Sequence, residues 1–534
     1  MSTANQAGVV VRGSTFRVVG YAASILVSFF LMPFLVHSLG DRVYGYWALA
    51  GAILGYYGIL DLGIVSAVQY HVAKALGEEN PESANRVIST SFCTFGAIGL
   101  VVLLASGAIA LGAGRFIAEA TEARLFRSVF LIVGIGFAVG FPGRAFIGAI
   151  SAHLRWDLIS GVGLIITVLR TILIVLGIKA GYGIILLASA TVIADIVTYA
   201  LYYAILRNIQ AEFRLSLALA SWRTLKEVVQ YSAYTLITKV SDQLRFYVNT
   251  LIVSAFVSVV AVTHYAIASR LALSFLDLMI AVMGMLAPWF SLLLGVRDYA
   301  GIRRVLAFGT KISVASSTMI ACSLVLYGRG FIHAWMGASY VDAYWPLVLL
   351  VVSIFFDVAQ LPSVSYMFGV SRHRFLAYQT LGEGLANAAL SLALVRAYGL
   401  IGVAVGAAIP MIICKLFIQP VYVCRESGIS LKEYYVGLLG RSILVPGLAM
   451  SVPWMLLFAR IALPTLFSIG ALVCVQLILA AAVSYLLLFD RSERETMAKT
   501  VFGRIRKPSQ VAASEKEVTI APILTGKVSV AGGE

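Results

Sequence analysis

The segment KVSDQLRFYVN, residues 239–249, places Lys239, Asp242 and Arg245 within two helical turns of an apolar run that starts near Tyr231 and ends near Phe256. A charged side chain at the centre of a bilayer costs at least ~2.5–3.5 kcal/mol, so three together need polar partners or water. At 100° per residue Asp242, Arg245 and Asn249 fall within about 60° of one another, with Lys239 on their flank. In the next apolar run Arg270, Ser274, Asp277 and Gly284 form a second stripe. Arginine offers a planar fork of donors suited to phosphate oxygens and stays charged in a dry site. Two such ribbons describe the wall of an anion-accepting cavity, with Arg245, Arg270, Lys239, Arg170 and Asn249 as its expected ligands. A carboxyl group in a dry cavity can exchange a proton near neutrality. Asp61, Asp242, Asp277, Asp357 and Glu383, all inside apolar runs, are therefore the candidates for coupling or gating. Asp195 is a further acid within a span, and Arg17, Arg144, Lys311 and Lys415 read as structural or as snorkelling to an interface.

The elements that position these residues must be membrane helices. The chain has 534 residues, of which 60% are hydrophobic and only 12% charged, where a soluble protein has about 25% charged residues. Runs of about 20 apolar residues, enough to cross a ~30 Å hydrocarbon core, number about fourteen. The first, Val18 to Val36, lacks the short core and cleavage site of a signal peptide and reads as a retained helix. Basic residues concentrate in alternate connections, notably Arg207, Arg214, Arg223 and Lys226, and in a tail with Arg491, Arg494, Lys499, Arg504, Arg506 and Lys507. By the positive-inside rule both termini are cytoplasmic. The net charge of +15 is largely this topology signal. It points to membrane lipids as a partner for the tail, and not to nucleic acid. The five cysteines form no CxxC pair and read as buried small hydrophobes, with no metal site.

The chain also repeats itself. LGEENPESANRV from Leu76 returns in outline as LGVRDYAGIRRV from Leu294, and FPGRAFIGAISAH from Phe141 as LPSVSYMFGVSRH from Leu361. The Leu-Asp of YGILDLG returns at Leu276–Asp277, and Tyr182-Gly at Tyr398. Each half then holds six helices. An even number relates the halves by an axis along the membrane normal, as in transporters whose lobes rock around a central site. The expected fold is an all-α polytopic membrane protein of about 14 transmembrane helices, in two pseudo-symmetric six-helix lobes plus two C-terminal helices. The lobes are residues 1–206 and 231–424, joined by a cytoplasmic linker, 207–230. Residues 437–490 hold helices 13 and 14, and 491–534 a basic tail that reads as disordered.

The run PFLVHSLGDRVYGYWALAGAILGYYGILDLGIVSAVQYHVAKALG from Pro33 resembles the opening of the bacterial polysaccharide flippases. These are the O-antigen and exopolysaccharide translocases of the multidrug/oligosaccharidyl-lipid/polysaccharide exporter superfamily. The landmarks are Pro33, Leu39–Gly40, Tyr44–Gly45 and Leu60–Gly63, and FIHAWMGASYVDAYWPL from Phe331 resembles a second one before the tenth helix. The resemblance implies a non-enzymatic flippase of the cell inner membrane. Its substrate would be an undecaprenyl-pyrophosphate-linked oligosaccharide, moved from the cytoplasmic to the periplasmic leaflet by alternating access. It implies no cofactor other than a coupling proton or sodium ion, and leaves a polysaccharide polymerase and a chain-length regulator open as partners. The alternatives are a multidrug exporter of the same superfamily, whose organic cations suit an Arg-rich cavity poorly, and a membrane-embedded polymerase or glycosyltransferase. Against the last, the chain has neither a DxD pair nor a large outer loop.

Overall fold

The computed structural model describes residues between 20 and 495, except 21–22, 25, 118, 284–285, 296, 371, 456–464 and 492. Arg17 and the tail residues Lys499, Arg504, Arg506 and Lys507 lie outside the described residues. Among the described residues every regular element is a helix. The first lobe contains α1 (Leu26–Leu39), α2 (Asp41–Gly55), α3 (Ile64–Gly77), α4 (Pro81–Phe116), α5 (Ala120–Gly140), α6 (Arg144–Ala152), α7 (Trp156–Lys179) and α8 (Gly183–Ile209). The second contains α9 (Trp222–Phe246), α10 (Val248–Phe256), α11 (Val259–Met283), α12 (Leu286–Gly295), α13 (Tyr299–Met336), α14 (Tyr344–Ala359), α15 (Leu361–Gly369), α16 (His373–Ile413) and α17 (Gln419–Ser427). Two more, α18 (Arg441–Pro453) and α19 (Leu466–Leu487), pack on α13.

Eleven described helical runs are long and apolar enough to cross a membrane. One of them, Arg374–Ser427, is 54 residues long, about 80 Å if straight, which is more than twice a bilayer core. It is not straight. Gly399 takes φ 55°, ψ −132°, and Ser391 Oγ donates to the carbonyl of Val403 at 3.2 Å, atoms that a continuous helix would hold about 18 Å apart. Phe375 and Tyr422 stack at 3.8 Å near the far ends. This run is a helical hairpin and crosses twice. Outside the eleven are α1, α10 and α12, which are short, and α9, which is too polar.

The sequence repeat corresponds to a repeated turn. Glu79 and Arg297 both adopt left-handed φ, 52° and 58°. The residues after them, Asn80 and Asp298, accept from the backbone N–H of Ser83 (2.9 Å) and Gly301 (2.7 Å), capping α4 and α13. Pro142 and Pro362 each sit at a break in the helical run, where a missing N–H costs least. Among the described residues the buried side chains form one core in the first lobe, from Leu35 to Leu206 and joined by Val228 of α9, two in the second, and a small one where Leu488 and Phe489 meet Ala315 of α13. Helix α1 contributes to both sides through Leu35, Met32 and Val36.

The connection between α8 and α9 is strapped onto α4. Asn85, Ser89 and Thr90 bond Gln210 and the backbone of Glu212, Arg214, Ser216 and Ser221, and His153 meets Gln210 at 3.4 Å. The polar residues of α4 therefore satisfy a segment whose backbone donors have no helix to join.

The lobes meet tightly at the end marked by Asp41. Thr263 Oγ1 donates to the Asp41 carbonyl at 2.6 Å, and the Tyr340 hydroxyl bonds the Asp41 carboxylate. Phe29 stacks on Trp335 at 5.0 Å, beside a pair within the second lobe, His264 and Asp342, at 2.7 Å. Gly45 lies directly against the Val259 carbonyl, leaving no room for a Cβ. At the opposite end α9 packs on α3 and α4 of the first lobe and on α16 of the second.

Gly45→Leu should therefore pry the Asp41 end apart. With the five native cysteines replaced, a cysteine at Thr263, which is fully buried, should resist maleimide in the parent and label readily beside Leu at position 45. Equal labelling would mean that the seam does not depend on this contact.

Candidate functional site

The second lobe holds four charges away from water. Arg245, 7% exposed, donates from Nε to Glu383 Oε1 at 2.6 Å and from Nη2 to Asp357 Oδ2 at 2.9 Å. Lys415 Nζ reaches Asp357 Oδ1 at 2.9 Å and Gln419 Oε1 at 3.1 Å. Two cations and two carboxylates cancel. The cluster joins α9, α14 and both arms of the α16 hairpin.

Local sequence makes this geometry possible. Gly384 has no Cβ where one would lie 2.8 Å from the Leu244 Cβ, so α9 and α16 approach closely enough for Glu383 to reach Arg245. Asn387, one turn on, donates to the carbonyls of Leu244 (2.8 Å) and Arg245 (3.2 Å). It thereby satisfies the last turn of α9, which ends before Tyr247. Past Pro410 the helix runs as a π-turn over Cys414–Ile418, which re-registers the chain so that Lys415 and Gln419 both aim inward. A hydrogen-bonded chain continues through Gln379, Gln360 and Tyr434.

The first lobe carries a second cluster, which shares one equivalent position with the first and has the opposite sign there. Arg144 begins α6, Arg170 lies in α7, and Asp195 in α8. Asp195 is within electrostatic reach of both arginines, and Tyr199 within reach of Arg144, Asp195 and Asp61. Arg144 also stacks over the Phe141 ring at 4.4 Å. Asp195 and Lys415 stand at the same spacing as Pro142 and Pro362, so the repeat places an acid in one lobe where it places a base in the other. These three side chains are half-buried, and two cations face one acid. Between α2 and α3 the chain passes through a 3-10 turn, Tyr56–Asp61, and two left-handed residues, Leu62 and Gly63. There Asp61 Oδ2 meets Lys239 Nζ of α9 at 3.4 Å.

The residues expected from the sequence divide accordingly. Arg245, Asp357 and Glu383 come together, but as a mutually neutralised group. Asn249 lies beyond the break at Tyr247 and is 1% exposed, lining a small cavity inside the second lobe with Arg245, Tyr265 and Ser353. The proposed stripe on α9 is split, because Asp242 is about half-exposed and its oxygen lies 3.8 Å from Arg245. Arg270 and Asp277 are half-buried and within electrostatic reach of each other, Arg270 also near Tyr44 of the first lobe. Lys239 and Asp61 meet where the first lobe faces α9, and Arg170 lies within electrostatic reach of Asp195 in the first lobe. Of the residues read as structural or snorkelling, Lys415 is buried at the centre of the cluster and so takes the structural part, and Arg144 lies within electrostatic reach of Asp195. Lys311 is held by Glu493 at 2.9 Å.

Removing one member of a buried ion group leaves uncompensated charge and costs about 3–5 kcal/mol. Arg245→Leu should lower unfolding stability in detergent by that order, and Arg245→Leu with Glu383→Leu by clearly less. A double variant as unstable as the single one would show that the two side chains do not act as a pair.

No family model matches the chain. It is 23% identical over 444 residues to "Uncharacterized membrane protein EpsK" of Bacillus subtilis, covering 79% of this chain and 84% of that protein. It is 22% identical over 427 residues to "Putative O-antigen transporter" of Shigella flexneri, covering 77% and 97%. Among solved structures it is similar to the lipid II flippase MurJ in an inward closed conformation, with TM-score 0.67, 14% identity and coverage of 93% and 100%. It is also similar to an inward-facing MATE family transporter of the MOP superfamily, with TM-score 0.63, 14% identity and coverage of 77% and 98%. The chain is an all-helical, multi-pass membrane protein with the fold of the MOP-superfamily transporters, and its relatives match the resemblance of its sequence to the polysaccharide flippases of that superfamily.

Proposed function

We propose that the chain is a flippase that moves an undecaprenyl-pyrophosphate-linked oligosaccharide from the cytoplasmic to the periplasmic leaflet of the inner membrane by alternating access. The observation that carries this reading is the imbalance of charge between the lobes. The second-lobe cluster neutralises itself, while Arg144 and Arg170 face one acid and Lys239 adds a further cation at the edge of the same region. A pyrophosphate is the kind of group such a surplus attracts, and arginine suits its oxygens in a dry site. Organic cations would meet repulsion there.

With the basic connections on the cytoplasmic side, the Asp41 end is periplasmic and the lobes are packed shut there, while α9 bridges the two lobes toward the cytoplasmic end. The relatives include a named O-antigen transporter, and a structural neighbour flips another lipid. The head-group ligands become Arg144, Arg170, Lys239 and Arg270, and Arg245 becomes the residue that holds the second lobe together. Asp357 and Glu383 are already committed to Arg245 and Lys415. A coupling proton or sodium ion is therefore better sought at Asp61, Asp195 or Asp277.

Two measurements test this. In cells depleted of the protein, lipid extracts with leaflets assigned should accumulate the complete polyprenyl-pyrophosphate oligosaccharide on the cytoplasmic face; accumulation on the outer face would hand the function to a polymerase. Arg144→Gln and Arg170→Gln should each insert normally and bind a soluble prenyl pyrophosphate roughly ten- to a hundredfold more weakly, the loss of one charge-assisted contact. Wild-type binding by both would remove the first lobe as the anion site.

A further inference from the structure

Asp61 and Lys239 form an unequal pair across the two lobes. Asp61 is 5% exposed, and its second oxygen, Oδ1, has no hydrogen-bond partner among the described residues. The side chain of Lys239 is 43% exposed, so the base can be reached from water while the acid cannot. Their separation, 3.4 Å, is longer than the 2.6–2.9 Å contacts in the second-lobe cluster. The backbone that carries Asp61 is bent out of helical geometry by Leu62 (φ 51°) and Gly63 (φ 74°), an arrangement a non-glycine residue pays for and that clusters at switching segments. Glu383 also leaves one buried oxygen, Oε2, without a hydrogen-bond partner among the described residues, but its other oxygen is held by Arg245 at 2.6 Å. Asp61 combines an open oxygen with a longer contact to an exposed base and a left-handed turn.

We propose that Asp61 is a built-in competitor for the phosphate-bearing head group: it occupies Lys239 in the empty transporter and gives it up when substrate arrives. The competition is a plain exchange of ion-pair partners, with no bond made or broken. A carboxylate held on a buried break and a phosphate arriving from the open side both seek the same ammonium group. The occupant of Lys239 then decides whether the α2–α3 break is tied to α9. Loading and lobe contact are thereby linked, because the pair that substrate breaks is also one that joins the lobes. The inference rests on the anionic head group proposed above and adds a gate to it.

The test is binding of two probes, inorganic pyrophosphate and farnesyl pyrophosphate, to the purified full-length protein. The variants are Asp61→Asn, Lys239→Gln and the two together, with unfolding curves to show that each is folded. Asp61→Asn keeps the size of the side chain and should bind roughly fivefold more tightly than wild type, the factor a partly exposed ion pair supplies. Lys239→Gln should bind more weakly, and adding Asp61→Asn to it should change nothing further. That order with both probes assigns the exchange to phosphate alone, and with the prenyl compound only, to a lipid-borne head group. If Lys239→Gln weakens binding but Asp61→Asn does not tighten it, Asp61 is no competitor and the inference falls while the anion site stands. If neither Lys239→Gln nor Arg144→Gln weakens binding, the anion site itself is wrong and both fall together.

Discussion

Everything in the second lobe is arranged around four charges that have to satisfy one another without water. Arg245 cannot lose its proton and Lys415 is buried at the same place, so Asp357 stands within bonding distance of both and Glu383 within bonding distance of Arg245. That demand reaches back into the backbone. It selects glycine at 384, where two helices nearly touch. It places Asn387 over the carbonyls at the end of α9, and it is met by the π-turn that swings Lys415 inward. It also explains why the longest helical run bends at Gly399, since the two arms of that hairpin bring Glu383 and Lys415 to one Asp357–Arg245 pair. Such groups add little net stability over a well-packed apolar core, and their loss one at a time is expensive. They act as a specification of which helices belong together.

The first lobe exchanges the sign at one equivalent position, Asp195 for Lys415, and does not balance its charges. Arg144 and Arg170 are half-buried and share one acid. On the function proposed above, the balanced lobe is the one that needs no guest, and the unbalanced lobe the one that a charged guest would complete. Duplication of one six-helix unit followed by opposite charge choices would give a holding half and a supporting half from a single architecture.

Much of this was legible in the sequence, and what was not has definite causes. Composition and basic connections established a helical membrane protein, and the repeated turn at Leu76 and Leu294 was visible because an Asx cap after a left-handed residue keeps its spacing. The set of intramembrane charges was also readable. Their partners were not. Helical phase groups Asp242, Arg245 and Asn249, but the groups that capture Arg245 come from residues 357 and 383, beyond the reach of any local pattern. Phase also assumes an unbroken helix, and the break at Tyr247 removes Asn249 from the stripe. That Arg144 and Arg170 both lie within electrostatic reach of Asp195 was likewise beyond local pattern, because the three residues come from three different helices. The signal that could have found it was the repeat, which sets Asp195 against Lys415 with opposite sign.

The connection between the lobes has a mechanical meaning. Because Asn85, Ser89 and Thr90 anchor it from Gln210 to Ser221, it travels with the first lobe as cargo and cannot serve as slack rope. The helix that follows, α9, starts at Trp222, packs on α3 and α4 of the first lobe and on α16 of the second, and carries Lys239 and Arg245 on one continuous rod. The seam between the lobes is thus spanned by rigid helix and by a strapped segment, and the two halves are coupled without a loose tether.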